Sequence, residues 1–141
     1  MIGICLLSGT LAAFVPAERF TLAWTHSIEK QRWEEDWQIQ PADLGSQGDT
    51  KSWALALMEA RVRGSGAGME PPAGAELRDG VWHYRVSRAV EALELTHSAY
   101  AAPYELCTGG RCRPLADHLP GLEPQPAEAV VVTLRGCRQT P

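Results

Sequence analysis

The sequence lacks an apolar run of the roughly 20 residues needed to cross a membrane as a helix, so no membrane-spanning segment of that kind is expected. It has no cluster of Lys and Arg, and its net charge is −4. Nucleic-acid binding rests largely on neutralising phosphates with basic side chains, so no nucleic-acid partner is expected. The four cysteines lack zinc-ligand spacing. The opening MIGICLLSGTLAAFVPAERF has a small-residue spacing at Val15 and Ala17 like that of a signal-peptide cleavage site. It lacks a basic start, and Ser8, Gly9 and Thr10 interrupt its apolar run, so two short strands around a Ser-Gly-Thr turn explain it better.

What is present fits an ordinary globular chain. The 141 residues suit one domain, 1–141, and a chain of that size buries roughly 68–70% of its unfolded surface. Hydrophobic residues make up 45% and charged residues 21%, which argues against disorder, while 13 Gly and 10 Pro imply many turns. Period-two alternation predicts strands over 2–7, 11–15, 19–28, 33–40, 81–85, 92–98, 104–107 and 129–134. Residues 51–63, KSWALALMEARVR, favour helix by propensity, with Asp49 or Thr50 as cap. They also alternate, with Ala56, Met58, Ala60 and Val62 on one face, and their neighbours favour a strand. The expected fold is mainly β: a single-domain antiparallel β-sandwich or barrel of about eight or nine short strands. Residues 114–128, with four of the ten prolines, read as a surface loop.

Cys107 and Cys112 enclose Thr-Gly-Gly-Arg, a turn that would set them opposite each other for a disulfide or for two thiols in contact. Cys5 and Cys137 lie near the chain ends, which often meet in space. A disulfide framework would imply an oxidising compartment. The absence of an export signal points instead to a cytoplasmic default, and the sequence leaves the localisation open.

Candidate site residues follow from alternation. Phe20, Leu22, Trp24, His26 and Ile28 share one face, as do Trp33, Glu35, Trp37 and Ile39, with Glu34, Asp36, Gln38 and Gln40 facing water. A four-residue hairpin loop, 29–32, would set Ile28 against Trp33, Trp24 against Trp37 and His26 against Glu35. Such a pair either satisfies itself in a packed interior or forms a polar spot at the mouth of an apolar cavity, where few polar groups orient a ligand. His26 with Glu35 could also act as an acid-base pair, although no nucleophile is legible. His97, in a second Thr-His-Ser, faces inward by the same count. No His-x-His spacing supports a metal triad, and neither metal nor cofactor is expected. Gly64, Gly66 and Gly68 in RGSGAGMEPP have neither the dinucleotide-binding spacing nor the Lys-Ser/Thr of a phosphate loop. They fit a bulge or a close backbone crossing, or else an anion-binding nest near Arg61 or Arg63.

In order along the chain, FTLAWTHSIEKQRWEEDW, ARVRGSGAGMEPP, DGVWHY and LCTGGRC resemble the bacterial domain of unknown function 1850 family. The resemblance implies that His26, Ser27, Glu35, Gly66, Ala67 and Gly68 are signature positions, but it implies no established activity. With Met69 these form the expected ligand-binding set. The resemblance further implies an accessory role beside permeases of TAXI-type tripartite (TRAP) transporters, binding the permease or a small solute. It also implies a periplasmic or membrane-associated location, since many relatives begin with a hydrophobic anchor or signal. The alternatives are a small enzyme using His26 and Glu35, or a purely structural interaction module.

Overall fold

The computed structural model describes residues 1–25, 31–42, 52–63, 74–85, 88–100 and 103–139. Among them are twelve strands and one short helix: β1 (Ile2–Ser8), β2 (Leu11–Pro16), β3 (Arg19–Thr25), β4 (Arg32–Ala42), β5 (Ser52–Arg63), β6 (Glu76–Arg78), β7 (Val81–Tyr84), β8 (Arg88–Val90), β9 (Ala92–His97), β10 (Glu105–Thr108), β11 (Arg111–Pro114), α1 (Leu115–His118) and β12 (Val130–Arg138). All described pairings are antiparallel. The protein is mainly β, as its alternation implies.

The strands form two sheets, neither closed into a barrel. The small sheet runs β2-β1-β12-β9; the large one runs β11-β10-β3-β4-β5-β7-β6, with β8 also on β5. One core joins them. Ile4, Leu6, Leu95, Val132 and Leu134 of the small sheet meet Phe20, Leu22, Trp37, Ile39, Leu55, Leu57 and Leu106 of the large one, in a sandwich. The sheets approach closely at Gly136, where an added Cβ would lie 2.9 Å from both Ile39 Cγ2 and Trp53 Cβ. Only a residue without a side chain fits there.

Three expectations are corrected in detail. The proline-rich stretch does more than cover the surface: Leu115, Leu119 and Leu122 are buried and close one end of the core. Residues 52–63 are a strand, but the face assigned to them holds over only half its length. Trp37 pairs with Leu57 and Asp36 with Glu59, so Met58 is an extra residue, and the bulge switches the inward set from Leu55 and Leu57 to Ala60 and Val62. The edge strands β6, β8 and β11 carry mostly exposed, charged residues and so show no apolar alternation. The β6–β7 hairpin could have been read from the Asp79-Gly80 dipeptide, whose two residues both take the positive φ that such a two-residue turn requires.

Candidate functional site

Strand β4 places Trp33, Glu35, Trp37 and Ile39 on the inner face of the large sheet. Trp37 and Ile39 join the core, whereas Trp33 and Glu35 are only half-buried. Across the sheet, Glu35 stands in a row with Leu106, Leu22, Ala60 and Tyr84. The next row holds Trp24, Trp33, Val62, Trp82 and Leu77. The Trp24 ring is tilted against Trp33, with centroids 6.1 Å apart, and against Tyr104 at 5.5 Å. Such tilted contacts suit aromatic quadrupoles. Among the described residues, the Glu35 carboxylate therefore sits in the company of tryptophan and tyrosine rings.

The surroundings of Glu35 disfavour its charge. Burial raises its pKa, and the Trp37 indole and the Arg88 charge only partly oppose that. The Trp37 N–H acts on Glu35 without closing a hydrogen bond of full geometry. Among the described residues Glu35 has no ion pair. Tyr84 and Tyr104 are held above the usual phenol range, first by burial and then by the negative charge of Glu35, which places both within its electrostatic reach. The group can accept hydrogen bonds from a donor or a cation, and it keeps its proton to higher pH than an ordinary glutamate.

The outer face of the same strands is organised differently. Arg61 grips Asp36 with two hydrogen bonds, Nη1 to Oδ2 at 2.5 Å and Nη2 to Oδ1 at 2.8 Å, and Thr21 Oγ1 donates to the same carboxylate at 2.7 Å. Arg61 also reaches Glu34 and Glu59, each at 3.4 Å, and His83 Nδ1 donates to Glu59 at 2.9 Å. Burial opposes charge on Asp36, but the hydrogen bonds from Arg61 and Thr21 outweigh it and hold this carboxyl below its ordinary range. The His83 hydrogen bond does the same for Glu59, against burial and with help from Arg61. Beside this network lies a cleft of about 480 Å³, bordered by Arg19, Met58 and the Cys107 to Cys112 turn. Its carboxylates are already partnered.

The expected hairpin register is replaced by one shifted by four residues. Trp24 lies opposite Trp33, Phe20 opposite Trp37 and Leu22, not His26, opposite Glu35; the last pair before the connection is Thr25 with Arg32. A shift by an even number leaves every side chain on its face, so alternation cannot tell the two registers apart. The Trp24–Trp33 contact and the Thr21–Asp36 hydrogen bond both belong to the observed one. His26, Ser27, Gly66, Ala67, Gly68 and Met69 lie outside the described residues. Of the expected set, only Glu35 can be placed.

His97 is inward and buried, as expected, and its Nε2 donates to the Glu123 carbonyl at 2.7 Å. With the Ala99 N–H, which donates to the Pro126 carbonyl, it anchors the proline-rich stretch over the core. Among the described residues no three His, Cys, Asp or Glu side chains gather as metal ligands would. Cys107 and Cys112 face each other across β10 and β11 and form a disulfide, and Cys5 and Cys137 form a second.

Tyr84, Tyr104 and Arg88 are the neighbours of Glu35 that alternation around His26 does not reveal. Trp82 and Tyr84 could have been read from Val-Trp-His-Tyr, where they share a face. Neither a curated protein nor a solved structure matches the chain. A family model described as "Domain of unknown function (DUF1850)" matches residues 20–115, which run from β3 to the start of α1 and include every described residue placed around Glu35. On that match, the chain belongs to the DUF1850 family.

Proposed function

We propose that this domain binds a small solute without converting it, as an accessory protein of a TAXI-type TRAP transporter. One observation carries the binding reading: Glu35 is half-buried beside aromatic rings, and no described residue forms an ion pair with it, the charge of Arg88 acting only partly against burial. A carboxylate in that state gains from a ligand that brings a hydrogen-bond donor or a positive charge, while the Trp24, Trp33 and Tyr104 rings offer apolar surface to the rest of the molecule. The link to transport rests on the family resemblance alone. The acid-base reading loses its geometric argument, because that argument needed the register that set His26 against Glu35.

The reading is tested by titrating the protein with small amines, polyols and carboxylates while following tryptophan fluorescence, since Trp24 and Trp33 lie beside Glu35. A saturable change for one class, lost in Glu35→Gln with the fold intact, is the expected result. No saturable response to any class, or an unchanged response in the variant, removes the binding site. For the transport part, cells carrying Glu35→Gln should lose uptake by the neighbouring permease; normal uptake overturns it.

A further inference from the structure

The two disulfides have opposite surroundings. Cys5 and Cys137 join β1 to β12 in the interior of the small sheet, where β2 and β9 flank the pair. If that bond were reduced, four paired strands would keep its thiols side by side. Cys107 and Cys112 join β10 to β11, and β11 lies at the edge of the large sheet with all four residues exposed and, among the described residues, only β10 as its strand partner. Within this bridge Cys112 is exposed while Cys107 is buried at 8%. The Arg32 guanidinium also reaches it, with Nη2 lying 3.6 Å from Cys112 Sγ. The same guanidinium donates from Nη1 to Glu105 at 2.6 Å and from Nε to Glu34 at 3.4 Å, which fixes it in place.

A fixed cation beside one sulfur of an exposed bridge favours the reduced state, because it stabilises the thiolate formed on reduction. We propose that Cys107–Cys112 is a thiol-exchange site for a dithiol reductant, with Arg32 holding Cys112 as a thiolate. A thiolate of the reductant attacks the exposed Sγ of Cys112. A new S–S bond forms there, the Cys107–Cys112 bond breaks, and Cys107 leaves with the electron pair and takes a proton from water. The second thiol of the reductant, deprotonated, then attacks the reductant's own sulfur in the mixed disulfide. The electron pair leaves with Cys112, which remains a thiolate against Arg32. The reductant's dithiol is oxidised to a disulfide, the protein's disulfide is reduced to one thiol and one thiolate, and one proton is released.

The Cys5–Cys137 bridge is the internal control. The folded full chain is equilibrated with graded ratios of reduced to oxidised dithiothreitol, trapped with iodoacetamide, and the alkylated cysteines are counted by mass spectrometry. Cys107 and Cys112 should be trapped at a ratio of reduced to oxidised dithiothreitol at least about tenfold below that needed for Cys5 and Cys137, a separation of about 30 mV for a two-electron couple. After reduction, the pH profile of Cys112 alkylation should place its thiol below the ordinary value of about 8.5. Arg32→Gln should raise that profile and the dithiothreitol requirement, and Arg32→Lys, which keeps the charge, should restore both in part. Equal reduction of the two bridges overturns the proposal. So does an Arg32→Gln protein, folded by circular dichroism, whose Cys112 titrates as in the wild type. If Arg32→Gln does not fold, the wild-type Cys112 profile decides: a midpoint at or above about 8.5 overturns the role of Arg32.

Discussion

Strand β4 carries acidic residues on both faces, and the fold treats them in opposite ways. On the outer face Asp36 is clamped by Arg61 and Thr21, which stabilise its charge more than burial penalises it. On the inner face Glu35, one residue away, has aromatic neighbours and no described ion-pair partner, so burial prevails and its charge is disfavoured. Adjacent residues in a strand point to opposite sides, so a single step along the backbone separates an acid clamped by a cation from one that has no ion pair among the described residues. A carboxylate that holds strands together comes with its partners; under the proposed reading, Glu35 takes its partner from the ligand.

The largest effect should come from the apolar support beneath the open acid. Trp37 is buried at 3% and shares the core with Phe20 and Leu57. Trp37→Ala should cost about 3–5 kcal/mol, read as a lower urea midpoint. A loss below about 1 kcal/mol would mean that the inner face is not packed as described. Next comes the outer clamp. Arg61→Met leaves Asp36 half-buried without its cation and should cost about 1–3 kcal/mol at neutral pH. The folded-state pKa of Asp36 lies below its ordinary 3.8, so this stabilisation is present above 3.8 and is lost as the pH falls through the lower folded value. The deficit of the variant should therefore shrink in acid, and a deficit independent of pH would show that the clamp acts through packing alone.

The smallest effect should have the opposite sign. The pKa of Glu35 is raised above its ordinary 4.5, so the folded state holds this proton more tightly than the unfolded one, and stability falls as the pH rises from 4.5 through the raised value. Glu35→Gln removes that cost. It should match or exceed the wild type at pH 7, by on the order of 0.5 kcal/mol, and the difference should close in acid. Thermal unfolding at several pH values measures it. A clear loss of stability at pH 7 would place Glu35 with Asp36 as a structural acid and abolish the contrast.

Much of the inner face was legible, because burial on one side imposes alternation on the sequence: Phe20, Leu22 and Trp24 with Trp33, Glu35, Trp37 and Ile39 lie where period two puts them. The outer face was read only as facing water. Asp36 and Glu34 are half-buried there under Arg61, and the hint was a pair of acids at alternate positions in β4 facing Glu59 and Arg61 at alternate positions in β5. Two other features left no trace in periodicity. The β3–β4 register depends on which aromatic residues pair, and even shifts conserve the faces. The switch at Met58 depends on a bulge that adds one residue to β5 alone, and propensity does not register such an insertion.

The pairing of β1 with β12 has a mechanical consequence. Ile2 faces Arg138, the Gln139 N–H donates to the Met1 carbonyl at 2.9 Å, and the Cys5–Cys137 bond links the two strands covalently. A pull on β1 against β12 is therefore borne by a covalent link within the small sheet. Tension on these two strands is carried first by that bond and by the β1–β12 ladder, and it reaches the large sheet only through packing contacts such as that of Gly136 with Ile39 and Trp53.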